Sequence, residues 1–242
     1  VVIPEANYYL FTDDPSLEVY PYRKILVTSE DGSPSMANRS LKLTIPTELL
    51  SYKATVYIDG NVGIFSSFMP LINEFLLSNA DIGLCTHPNH SRIEDEINLC
   101  IEKKKSSEKI MRKEALFYSE SNYPVLETFS ENSIIFRKKP NDNLSAAMSE
   151  WLGLVKKFSG RDQLSLPFIR SKYSLTEYFF DFSARKPGNP YCIAFPHNVS
   201  FYSSSAPEFI RFKIKFSLKR VYRRYLFFKA AVKISIYGNS NC

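Results

Sequence analysis

Short apolar runs alternate along this chain with longer stretches in which apolar positions recur at helical spacing. Asn7–Thr12 reads as a short strand ended by Asp13-Asp14-Pro15, and Lys24–Thr28 is another short apolar run. Ser29–Ser40, rich in Gly, Ser, Pro and Asp, reads as a loop, and Leu41–Leu50 as a short helix or turn interrupted by Pro46. Ala54–Asp59 is the clearest strand. It is a β-branched and aromatic run of the length expected for a buried parallel strand, and it stops at Asp59-Gly60-Asn61. Ser67–Leu77 predicts a helix with Met69, Ile72, Phe75 and Leu76 on one face, and Asp81–Thr86 a returning strand. Such a strand–helix–strand unit implies a right-handed crossover in a mainly parallel sheet.

Glu94 to about Phe117 reads as one long helix, with Ile93, Ile97 and Ile101 setting its apolar spacing. Ser133–Arg137 reads as a strand. Asn143–Phe158 reads as a helix with Leu144, Met148, Trp151, Leu152 and Val155 on one side, stopped by Gly160. A short helix or turn is expected at Asp162–Ile169 and a loop at Ser183–Pro190. There is no internal repeat. The fold class expected from this alternation is α/β, a mainly parallel sheet flanked by helices.

Charge divides the chain into two parts. The 242 residues carry a formal net charge of +6, which by itself invites a nucleic-acid or anionic-membrane reading. Nine of the 31 basic residues lie between Phe209 and Cys242, where there is no acid, so residues 1–208 carry 22 bases against 25 acids. The expected division is a catalytic domain over 1–207 and a basic amphipathic tail over 208–242. In the tail Leu218, Val221, Tyr222, Tyr225, Leu226, Phe228 and Val232 can share one helical side, with Lys219, Arg220, Arg223 and Arg224 opposite. That pattern suits an anionic membrane surface, and equally a docked terminal helix with a solvated basic face. Nucleic acid ranks third, because the body is acidic and carries no recognised binding motif. Cys85, Cys100, Cys192 and Cys242 are too widely spaced for a structural zinc site and read as reduced thiols of a cytoplasmic protein.

Three segments carry candidate chemistry. Asp59-x-Asn61 follows the end of a strand, where ligands of open α/β sheets bind, and its oxygens suit a hard divalent cation bridging to a diphosphate. The same tripeptide also reads as an ordinary turn. His87-Pro88-x-His90 precedes Glu94-Asp95-Glu96, which can form a sugar-binding or metal-supporting cluster; acids at a helix start are also favoured by the helix dipole alone. Arg161-Asp162-Gln163 can hydrogen-bond sugar hydroxyls or supply a base, or Asp162 can serve only as a helix cap. There is no G-x-S-x-G, Walker-type or G-x-G-x-x-G motif, which argues against the common serine hydrolases, P-loop NTPases and Rossmann dehydrogenases.

Taken in order, YYLFTDD at Tyr8–Asp14, YIDGNV at Tyr57–Val62, HPNHSRIEDEINLC at His87–Cys100 and EWLGLVKKFSGRDQLSLPFI at Glu150–Ile169 resemble a glycosyltransferase-like family of GT-A type. The family includes bacterial polysaccharide-locus proteins and plant mucilage-related Golgi proteins, and the likeness spans Tyr8 to Arg170. It implies a GT-A-like fold, a nucleotide-sugar donor, and Mn²⁺ or Mg²⁺. Asp59 and Asn61 stand at the metal motif, and GT-A logic adds His197 as a late ligand. His87, Glu96, Arg161 and Gln163 are the implied substrate-binding residues. Asp162 is the implied catalytic residue, for acceptor activation or donor-sugar contact. His90 departs from the arginine common there, and the strand and Gly-rich turn that open family members would precede Val1, so the first nucleotide-binding strand is expected to be missing. The expected activity is metal-dependent transfer of a sugar to a surface-polysaccharide, lipopolysaccharide or other lipid-linked glycan acceptor. The expected location is the cytoplasmic face of the inner membrane, held through the tail. The alternative is a non-catalytic or hydrolytic relative that binds glycans or lipids.

Overall fold

The structure, a computed structural model, describes residues 4–17, 20–28, 33–87, 93–121, 129–186 and 189–195. The basic tail and His197 lie outside the described residues, as do Pro88 and His90. The described residues form two compact units, one built from those up to Ile58 and from Met69 to Asp181, the other from Asp59–Phe68 and the described residues from Phe182 on.

The larger unit is α/β. Its main sheet has four strands in the order β3 (Ala54–Ile58), β6 (Ser130–Lys138), β5 (Ile82–Thr86), β7 (Glu177–Phe180). β6 runs antiparallel to both neighbours, with Tyr57 opposite Ile135 and Ile82 opposite Arg137, while β5 and β7 are parallel. The expected mainly parallel sheet is therefore corrected to a mixed one. β3 and β5 do share a direction, but β6, more than forty positions further along the chain, is inserted between them. This placement also leaves β3 as a half-buried edge strand rather than a buried central one. A separate pair, β1 (Tyr9–Thr12) and β2 (Arg23–Leu26), is parallel.

Among the described residues six α-helices accompany these strands: α1 (Pro34–Leu43), α2 (Met69–Leu77), α3 (Ile93–Glu102), α4 (Glu108–Ser119), α5 (Asp142–Lys157) and α6 (Asp162–Lys172). α1 occupies much of the segment expected to be loop. Ser33 caps it through the Met36 N–H and Pro34 opens it, a start signal that outweighs the turn-like composition. The expected long helix is two helices. Lys104 takes a left-handed φ of 52°, and Ser107 caps a fresh start at α4 by accepting from the Ile110 N–H. α5 matches its apolar pattern closely, with Leu144, Ala147, Met148, Trp151, Leu154 and Val155 buried.

These residues join Leu43, Ile82, Leu84, Ile97, Met111, Ile135, Leu164, Leu166 and Ile169 in one apolar cluster. Burial on this scale contributes roughly 1.5–3 kcal/mol per large apolar side chain. Phe75 and Phe136 pack with Phe180, and a Cβ on Gly83 would come within 2.9 Å of Phe136, so only glycine fits there. Arg137 of β6 is buried and forms no ion pair among the described residues. It donates to the carbonyls of Lys42 (3.0 Å) and Thr44 (2.9 Å) at the end of α1, and to the Thr55 hydroxyl of β3. Burial pulls its pKa down to about 10, and the C-terminal carbonyls of α1 supply the negative end of a helix dipole against the charge.

In the smaller unit β4 (Val62–Ile64) pairs antiparallel with β8 (Cys192–Ala194). The described cysteines, Cys85, Cys100 and Cys192, form no disulfide among the described residues. No helix of the described residues is long and apolar enough to cross a membrane.

Candidate functional site

The start of α6 is the most heavily charged buried place in the larger unit. Asp162 is its first residue, and the residue at the cap position is Arg161, whose side chain makes no capping bond. Asp162 is 3% exposed, with Lys42 Nζ of α1 at 2.8 Å from Oδ2 and an Arg39 guanidinium nitrogen at 3.5 Å from Oδ1. The Trp151 indole of α5 donates to the Asp162 carbonyl at 3.0 Å. Burial opposes ionisation of this carboxyl, but Lys42 and Arg39 outweigh it and hold the pKa down at about 2. A carboxylate so depressed is a weak proton acceptor and a strong fixed negative charge.

Arg161 and Gln163 complete the cluster. One terminal nitrogen of Arg161 donates both to Glu96 Oε1 (3.2 Å) and to Gln163 Oε1 (2.9 Å). Gln163 Nε2 in turn donates to the Ser130 carbonyl at the start of β6. Burial works against the Arg161 charge, but Cys100, Asp162 and Glu96 outweigh it and raise its pKa. Of the three acids that open α3, only Glu96 is buried; Glu94 and Asp95 are exposed. Glu96 also accepts from the Cys100 thiol, which burial pushes up to about 11, so that sulfur is a donor and a poor nucleophile. Asn132 Nδ2 and Arg161 Nε are buried donors with no hydrogen-bond partner among the described residues.

The structure thus brings Glu96, Arg161, Asp162 and Gln163 into one ionic network. Arg39 and Lys42 belong to it and were missed from sequence. A lysine one residue before a buried leucine on a short helix carries no local signal that it will be desolvated. His87 follows β5: its backbone N–H donates to the carbonyl of Phe129 at 2.9 Å, one residue before the Ser130 carbonyl that Gln163 uses, and its ring meets the Phe129 ring edge-on.

Asp59 and Asn61 belong to the smaller unit and are half-buried. The Asp59 carbonyl accepts from the Val62 N–H, closing the turn into β4. Asn61 is fixed by Phe195 twice: its side-chain Nδ2 donates to the Phe195 carbonyl at 2.8 Å, and its own carbonyl accepts the Phe195 N–H at 2.7 Å. A cation taken by Asn61 would be held through Oδ1, because Nδ2 is committed to Phe195. Carboxylate and carboxamide oxygens are the hard donors that Mg²⁺ and Mn²⁺ prefer. No group of three or more His, Cys, Asp or Glu fit to hold a metal occurs among the described residues. Two protein oxygens fit the mode in which such ions take one or two side chains and complete their shell with substrate phosphates.

No curated protein matches the chain. A family model does, over residues 47–185, more than half of the sequence, and this span contains β3, the Asp59-Gly60-Asn61 turn, α3 and the whole of α5 and α6. The chain belongs to the TOD1/MUCI70 glycosyltransferase-like domain family.

Proposed function

We propose that this protein is a metal-dependent glycosyltransferase of GT-A type, moving a sugar from a nucleotide-sugar donor to a glycan or lipid-linked acceptor such as a surface polysaccharide or lipopolysaccharide. The observation that carries the reading is the buried Arg39–Lys42–Asp162 and Glu96–Arg161–Gln163 network, whose Glu96, Arg161, Asp162 and Gln163 lie inside the span that matches a glycosyltransferase-like domain and whose Arg39 and Lys42 come from α1 just before it. So many buried charges cost stability unless each is paired, so their retention points to a task beyond holding the core together.

Each residue has a separate part in this account. Asp162 serves as a fixed charge that orients Lys42 and Arg39 and accepts sugar hydroxyls, because a carboxyl held at about 2 takes up protons poorly at neutral pH. Glu96 and Gln163 hold the Arg161 guanidinium in one orientation, from which it can donate to donor oxygens. His87 contributes a substrate contact. Asp59 and Asn61 would hold Mn²⁺ or Mg²⁺, with His197 as the third candidate ligand. When bound, the cation supplies charge neutralisation for the departing nucleoside diphosphate. The tail from residue 208 would keep the protein on an anionic membrane surface, on the cytoplasmic side, near a lipid-linked acceptor.

Calorimetric titration with UDP-, GDP- and CMP-sugars, with and without Mn²⁺, tests the proposal. Metal-dependent binding of one of them is the expected result. A chain that binds none, or binds equally without metal, contradicts it. Glycan binding that survives joint Asp59→Ala and Asn61→Ala substitution would favour the non-catalytic alternative.

A further inference from the structure

Glu114 is a fully buried acid that the account of the site has not used. It is 0% exposed on α4; burial raises its pKa, against the hydrogen bonds of Ser159 and Tyr118 and the nearby Arg161 charge, which favour the carboxylate. Its two oxygens are used separately: Oε1 accepts from the Tyr118 hydroxyl at 3.0 Å, one helical turn on, and Oε2 accepts from the Ser159 N–H at 3.2 Å. Leucine or methionine would fill such a position at far lower cost, since a buried carboxylate is tolerated only where its hydrogen bonds compensate.

The Ser159 bond shows what the carboxylate is for. Ser159 lies in the four-residue turn between α5 and α6 that delivers Arg161, Asp162 and Gln163. Three successive residues of that turn are held. The Ser159 N–H goes to Glu114, the Gly160 carbonyl accepts from Arg39 Nε at 3.2 Å, and the Arg161 N–H goes to the Ser159 hydroxyl at 3.2 Å. Gly160 sits at φ +74°, a conformation that glycine adopts without strain, so the turn has one shape and Glu114 grips it from α4. Both oxygens accept only while the group is a carboxylate. An amide in its place turns a donor toward one of the two bonds.

We propose that Glu114 is a positioning residue: through the Ser159 N–H it fixes the turn that aims Arg161 and Gln163 at the donor sugar. The step from turn to sugar rests on the glycosyltransferase reading above.

Hydrogen exchange and calorimetry on the full chain test this together. In Glu114→Gln, amide exchange across Ser159–Asp162 rises at least tenfold, while exchange in β5 and β6 stays as in the wild type. Affinity for the UDP-, GDP- or CMP-sugar that binds the wild type falls at least tenfold, while affinity for the matching free nucleoside diphosphate and the binding stoichiometry are unchanged. Tyr118→Phe, which leaves the Ser159 bond in place, changes turn exchange less than twofold. Glu114→Asp keeps the charge but shortens its reach, and it replaces Glu114→Gln if that chain does not fold. Unchanged turn exchange overturns the proposal. So does faster exchange with unchanged nucleotide-sugar affinity, or a loss of stoichiometry alone, which would mark Glu114 as merely structural. If the wild type binds no nucleotide-sugar, the transferase reading fails, and the exchange comparison alone decides whether Glu114 fixes the turn.

Discussion

The cluster at the start of α6 and the turn at Asp59-Gly60-Asn61 are both polar, yet they are built on opposite physical terms. At α6 the charges are buried and answered by other side chains, as Asp162 is by Lys42 and Arg39 and Glu96 by Arg161. At the turn the side chains of Asp59 and Asn61 are half-buried, and backbone groups of Phe195 hold Asn61. A buried, mutually paired network is coupled to folding, because deleting one member strands its partner in a poor solvent. A half-exposed turn is not coupled in this way, so its side chains can be changed with little effect on stability. The cluster is thus expected to govern whether the protein folds and how its groups are aimed, and the turn to govern what it binds.

Substitutions can break or sharpen that contrast. The largest effect is expected from Lys42→Met, which removes the cation at 2.8 Å from a carboxylate that is 3% exposed. A loss of about 3–5 kcal/mol is expected by chemical denaturation; a change below 1 kcal/mol would show that the cluster is not coupled to folding. Acid should find the same weakness. The Asp162 carboxyl lies at about 2 when folded, against an ordinary value of 3.8, so its contribution is fully present above 3.8 and is lost as pH falls toward 2. The loss is about 2 kcal/mol, visible as a steeper decline of wild-type stability than of Asp162→Asn between pH 5 and 2.

The turn should answer differently. A Cβ on Gly63 would lie 2.6 Å from the Phe195 ring, so Gly63→Ala displaces the residue that fixes Asn61. Its stability cost, about 1–3 kcal/mol, should come with weaker metal-dependent binding, read by titration. Asp59→Asn should be the mildest for folding, within about 0.5 kcal/mol, while Mn²⁺-dependent nucleotide-sugar affinity drops at least tenfold.

What could be read from the residues follows the range of the interactions. α5 was legible from Leu144 to Val155, because its periodicity is local and Gly160 stops it. α2, β5 and the core of β6 were legible for the same reason. The start of α1 was present as Ser33-Pro34 but was masked by the Gly, Ser and Pro around it, and the Ser107 cap that divides α3 from α4 was hidden by a continuous run of charged residues. β7 and β8, at Glu177–Phe180 and Cys192–Ala194, were not expected, since strands of three or four residues take shape only by pairing with distant partners. The insertion of β6 between β3 and β5 is a pairing such as Tyr57 with Ile135, which no local pattern encodes. The candidate site divides in the same way. Glu96, Arg161, Asp162 and Gln163 were found as motif residues, whereas Arg39, Lys42 and Glu114 join them only through tertiary packing.

The central claim is that the Asp59 turn binds the metal and nucleotide while the α6 cluster, coupled to folding, aims the groups that meet the donor sugar. Its most direct test is calorimetric titration of the wild type and the Asp59→Ala/Asn61→Ala double variant with UDP-, GDP- and CMP-sugars in the presence of Mn²⁺, each protein first shown to unfold at the same denaturant midpoint. The account predicts Mn²⁺-dependent binding by the wild type and none by the equally stable variant. Equal binding by the two, or a variant that has lost its fold along with its binding, would contradict it.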